Sequence, residues 1–72
     1  MNKALALFES THLVIKAERL CNTNRLACRA VAVPRSISTD CGIGLEVTED
    51  LMTRVDDLLA KNDITFSWHR LP

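Results

Sequence analysis

Apolar residues recur along this chain in two rhythms, one near every second position and one near every third to fourth, and their alternation predicts its elements. The run "KALALF" (Lys3–Phe8) is short, apolar and closed by Glu9-Ser10, as expected of a buried strand. In the following "STHLVIKAERLCNTN", Leu13, Val14, Ala17, Leu20 and Cys21 fall on one face of a helix, with Lys16, Glu18 and Arg19 on the other. Ser10 or Thr11 can cap its start, because a hydroxyl oxygen there accepts a bond from an otherwise orphaned amide. "NTN" ends it, since asparagine tolerates the left-handed backbone of helix C-termini. "LACRAVAV" (Leu26–Val33) is a second strand, stopped at Pro34, which has no amide for a sheet ladder.

After a polar segment, "IGLEV" (Ile43–Val47) reads as a third strand with Ile43, Leu45 and Val47 on one face. Thr48 is placed to cap a second helix, with Glu49 and Asp50 in the first turn, where acidic groups meet the positive end of the helix dipole. Leu51, Met52, Val55, Leu58 and Leu59 form its apolar stripe, and "AKND" closes it. "ITFSW" (Ile64–Trp68) alternates as a last strand.

The order is β-α-β-β-α-β over a single domain, residues 1–72. One apolar stripe per helix calls for both helices on one face of a four-stranded antiparallel sheet, an α+β fold of ferredoxin-like type. With the strand order 4-1-3-2 of that arrangement, the Pro34–Gly42 loop and the start of the first helix share one end of the sheet. The third strand then begins beside the end of the first, and Cys41 falls near Ser10, Thr11 and the helix N-terminus. Trp68 and His69 are expected at the opposite end.

Composition narrows the functions open to such a chain. A domain of 72 residues buries only about 60% of its unfolded surface, so a deep enclosed active site is out of reach. Nine basic and nine acidic residues cancel, leaving no basic stripe for nucleic acid. Phe8, Phe66 and Trp68 are too few for a base-stacking platform. The opening "MNKALALFES" is interrupted by Glu9 before it reaches the length of a secretory core, and no run approaches the ~20 apolar residues of a membrane span. A cytoplasmic location is expected, with three cysteines of unpaired spacing kept as thiols.

Those thiols are the main candidates for chemistry. Cys21 lies on the apolar stripe of the first helix and Cys28 inside the second strand, which reads as packing for both. Cys41 ends the polar loop "VPRSISTDCGIG" and is open to either reading, packing or reactivity. A free thiol with a pKa of about 8.5 is only about 3% thiolate at pH 7. The helix N-terminus and Arg35 both favour the anion, Asp40 opposes it if it faces the sulfur, and Gly42 leaves room for an attacking group. His12, in the first turn, can contribute to the same edge but reads more simply as an exposed polar residue. Cys41 with His12 and Cys28 falls short of the four ligands a structural metal site needs, so no metal is expected. Ser36, Ser38 and Thr39 lack the glycine-lysine pattern of a phosphate loop.

The stretches "FESTH" (Phe8–His12), "KAERL" (Lys16–Leu20) and "VPRSISTDCGIGL" (Val33–Leu45) resemble the small bacterial selenium- or sulfur-carrier-like domains. The resemblance extends from about Lys3 to His69 and is most specific from Pro-Arg to Cys-Gly. It implies that Cys41 is the carrier thiol, that Ser10 and Thr11 accompany it at the helix start, and that Pro34 and Arg35 shape the loop. Cys21 and Cys28 match no motif position. Such a protein is a transfer partner rather than a stand-alone enzyme: sulfur or selenium held covalently on Cys41 is its only cofactor-like group. A donor such as a cysteine desulfurase loads it and an acceptor protein unloads it. Two other expectations compete. One is an interaction module that dimerises or binds a partner through the uncovered sheet face; the other is a thiol-redox or metal-binding protein.

Overall fold

A computed structural model describes residues 2–34, 36 and 42–70 of the chain. The elements follow in the expected order: β1 (Lys3–Leu7), α1 (Thr11–Thr23), β2 (Arg29–Ala32), β3 (Ile43–Thr48), a 3-10 turn (Glu49–Leu51), α2 (Met52–Lys61) and β4 (Ser67–Arg70). They form an α+β structure with one four-stranded sheet of order β2-β3-β1-β4, in which every neighbouring pair is antiparallel. Counted from the β4 edge this is 4-1-3-2. Leu7 at the end of β1 faces Gly44 near the start of β3, and Lys3 faces Thr48, so β3 does begin beside the end of β1.

Residues directly opposite on neighbouring strands share a sheet face. On one face Ala6 lies between Leu45 and Trp68 and joins Val14, Ala17 and Cys21 of α1 and Val55 and Leu59 of α2 in one buried cluster. Both helices therefore dock on this face, as their stripes require. Phe8 stacks on Phe66 with ring centroids 5.6 Å apart, and Phe66 meets Trp68 edge-on at 5.1 Å. The aromatic residues are thus spent on the core near β4.

Several boundaries differ from the sequence pattern. β2 begins at Arg29, three residues later than the apolar run suggests, and β4 begins at Ser67 rather than Ile64. The cause is the same in both places. Leu26 N–H donates to the Cys21 carbonyl at 2.8 Å and Arg25 N–H to Asn22 at 3.1 Å; Ile64 N–H donates to Leu59 at 3.0 Å and Asp63 N–H to Ala60 at 3.1 Å. These are paired Schellman turns, in which the apolar residue after the helix folds back onto it before the strand can start. The left-handed residues are Arg25 (φ 59°) and Asp63 (φ 58°), not the asparagines. Asn24 and Asn62 instead donate their side-chain amides to the Leu20 and Leu58 carbonyls, each at 2.8 Å. The two halves therefore share a helix-ending device that residue-by-residue similarity conceals.

The shift of β4 also moves Trp68, which sits opposite Ala6 in the body of the sheet, with His69 opposite Leu5. Neither is at the far end. Thr48 makes no side-chain cap, because a 3-10 turn intervenes before α2. Left-handed backbone costs a residue with a Cβ about 1–2 kcal/mol, while glycine loses about 0.5–1 kcal/mol of extra chain entropy. Arg25→Gly is therefore expected to stabilise the fold by about 0.5–1 kcal/mol, a rise of several degrees in thermal midpoint. A lowered midpoint would contradict the left-handed assignment.

Candidate functional site

The site is built at the end of the sheet where β1 stops and β3 starts. Ser10 has extended backbone and caps α1, its hydroxyl oxygen accepting from Leu13 N–H at 3.4 Å. Thr11 and His12 follow in the first turn, both exposed. That turn carries no acidic side chain, the nearest in sequence being the exposed Glu9 just before the cap. Across from it, Val33 N–H donates to the Gly42 carbonyl at 2.8 Å, tying together the two ends of the intervening loop. The order of strands places these ends beside the Leu7–Gly44 pair, three residues before Ser10. Ser10, Thr11, His12, Pro34 and Gly42 are therefore gathered at one end. Arg35, Asp40 and Cys41 lie outside the described residues.

Gly42 and Gly44 have different roles. Gly42 is exposed, and a Cβ there meets nothing within 4 Å. Gly44 is buried in an interior strand, and a Cβ there would lie 2.9 Å from Val33 Cγ2 and 3.0 Å from the Ala6 carbonyl oxygen. Val33, only 7% exposed, packs flat on that glycine and so seats the start of the loop on the sheet. Gly44 carries a signal of its own in the sequence, a glycine inside an otherwise alternating apolar strand, which marks a close approach.

The sheet face away from the helices carries Lys3, Leu5 and Leu7 of β1, Arg29 and Val31 of β2, Glu46 of β3 and His69 of β4. Leu5 is buried, and Lys3 pairs with Glu46 at 3.3 Å. Among the described residues the exposed large hydrophobic side chain is Ile15, on α1 rather than on this face.

The other two cysteines are not independent. Cys21 is fully buried at the end of the α1 stripe, and Cys28, part-buried just before β2, packs against the core cluster that contains it. Cys28 Sγ is also 4.0 Å from the Glu18 carbonyl oxygen. Burial pushes the Cys28 thiol up to about 12, with the neighbouring Cys21 and Glu18 adding to the rise. Burial raises Cys21 as well, partly offset by its hydrogen bond with Cys28. Both stay protonated at neutral pH, at the end of β2 opposite to the loop. Among the described residues no group of three or more His, Cys, Asp or Glu side chains could hold a metal ion, and no helix is long and apolar enough to cross a membrane.

A family model described as "Putative Se/S carrier protein-like" matches residues 3–68. The chain belongs to this family. The match to the Se/S carrier-like family runs from the first residue of β1 into β4 and takes in the capped start of α1 and the whole loop between Val33 and Gly44. A search of curated proteins and a search of solved structures each found no match.

Proposed function

We propose that this protein carries sulfur or selenium as a persulfide or selenosulfide on Cys41 and relays it between proteins. The observation that supports this most directly is the pinned loop: the Val33–Gly42 hydrogen bond sets the flanks of the Pro34–Cys41 segment at the end of the sheet where the capped helix α1 presents its positive terminus. In this reading Ser10, Thr11, Arg35 and the open backbone at Gly42 stabilise and expose the anionic cargo, and Pro34, Asp40 and His12 shape its surroundings. The βαββαβ order with both helices on one face supports assigning the architecture to the ferredoxin-like type. The protein acts in the cytoplasm as a transfer partner rather than an enzyme.

The chemistry is an exchange at sulfur. The Cys41 thiolate attacks the terminal atom of a donor persulfide R–S–SH, or selenopersulfide R–S–SeH. The donor's S–S or S–Se bond breaks, a new one forms to Cys41 Sγ, and the donor leaves as the thiolate R–S⁻. An acceptor thiolate repeats the attack and returns Cys41 to its starting state. No electrons are gained or lost overall, and no enclosed pocket is needed. A persulfide-bearing protein such as a cysteine desulfurase is the proposed donor.

Intact-mass measurement after incubation with a persulfide donor tests the reading. One added sulfur atom, absent in Cys41→Ser, is the expected result; equal labelling of Cys41→Ser would overturn it.

A further inference from the structure

The Cys21–Cys28 contact is left unused by the loop chemistry, and it is not an accident of sequence spacing. The Schellman turn through Arg25 and Leu26 reverses the chain at the end of α1 and returns it along the helix, so that Cys28 enters β2 beside the last buried residue of the stripe. Cys21 is sealed by the core, whereas Cys28 also lines a surface cavity of about 250 Å³ with Lys3, Arg29 and Glu46. Cys28 is thus a part-buried residue at the rim of this cavity, with its sulfur against α1 at the Glu18 carbonyl, one turn before Cys21.

We propose that Cys21 and Cys28 form a second thiol site, which closes to an intrachain disulfide when it meets a small-molecule disulfide. The Cys28 thiolate attacks one sulfur of R–S–S–R, forming a mixed disulfide and releasing R–S⁻. The Cys21 sulfur then attacks Cys28 Sγ, the Cys21–Cys28 bond forms, and the second R–S⁻ leaves. Overall the protein loses two protons and two electrons, and the small disulfide is reduced to two thiols. The product clips the end of α1 to the start of β2, the strand whose far end seats the loop. Val33, whose N–H donates to the Gly42 carbonyl, is five residues on from Cys28, about 16 Å along that strand. This proposal does not rest on the carrier reading.

Charge and burial together set the pace. Glu18 and Cys21 from α1 face Cys28, as do Lys3 of β1, Arg29 of β2 and Glu46 of β3 around the cavity. Because Cys28 ionises only near 12, closure accelerates about tenfold per pH unit from neutrality through about pH 10, without the plateau near 8.5 of an ordinary thiol.

The test uses the full chain carrying Cys41→Ser, incubated with oxidised glutathione at a series of alkaline pH values and read by intact mass. The expected product is two hydrogens lighter, carries no glutathione, returns to its starting mass with excess thiol and yields a linked Cys21–Cys28 peptide pair. Cys21→Ser in the same background should instead accumulate the glutathione adduct on Cys28. A stable adduct with Cys21 present would show that the second attack does not occur and would overturn the proposal. So would a chain that stays reduced while the same chain, unfolded in denaturant, oxidises. Mapping the link in the natural sequence guards against an effect of Cys41→Ser on folding: a Cys21–Cys28 link supports the proposal, and a link to Cys41 contradicts it.

Discussion

Gly44→Val is expected to destabilise the fold by about 3–5 kcal/mol, read as a fall in the urea midpoint with little change in slope. A domain of this size has only about 4–11 kcal/mol to lose. The first added atom already lies 2.9 Å from Val33 Cγ2 and 3.0 Å from the Ala6 carbonyl oxygen, and Leu7 Cδ2 stands at 3.5 Å. Val33 can be pushed aside, at a cost of about 1.5–3 kcal/mol in lost burial. The Ala6 carbonyl belongs to the central strand and cannot move without disturbing the pairing with β3. Overpacking of this kind adds about 1–3 kcal/mol. Gly44→Ala should show the smaller version of the effect, and combining it with Val33→Ala should recover part of the loss, since the two sites touch. If Gly44→Val changes stability by less than about 0.5 kcal/mol, the packing of Val33 on that glycine is not what seats the loop.

The architecture was legible because each helix has one stripe and each strand run one clear end. Leu13 to Cys21 and Leu51 to Leu59 leave a single face for docking, which places both helices on the same side of the sheet. The strand boundaries were less legible. Leu26 and Ile64 are apolar and look like strand residues, but each is the residue that folds back on its helix after a left-handed turn at Arg25 or Asp63. A charged residue with positive φ carries no compositional mark, so the asparagines drew the assignment instead. The end of the sheet that gathers Ser10, Thr11, Pro34 and Gly42 followed from connectivity alone, since antiparallel β1 and β3 force the helix start and the loop together. The Cys21–Cys28 contact did not, because periodicity assigns a residue to a face without saying which neighbour it meets there.

Replacing both Cys21 and Cys28 with serine is expected to leave persulfide loading nearly intact, whereas Cys41→Ser should slow it by at least about a hundredfold. The ratio follows from the thiols themselves. At pH 7 an ordinary thiol with a pKa of about 8.5 is about 3% ionised, but one ionising near 12 has only about one thiolate in 10⁵. That is a loss of about 3000-fold in attacking species. The more basic thiolate is intrinsically more nucleophilic, and a Brønsted slope of about 0.4–0.5 returns about 40-fold of it. Cys28 is therefore left roughly a hundredfold behind an unperturbed thiol before its partial burial is counted, and Cys21, fully buried, further still. Any stabilisation of the Cys41 thiolate by the α1 terminus or Arg35 widens the gap. Initial loading rates of the two variants, compared under identical donor concentration, decide the matter. Loading that survives Cys41→Ser but disappears in the Cys21→Ser, Cys28→Ser double variant, with the fold intact by circular dichroism, would transfer the carrier role from the loop to the buried pair.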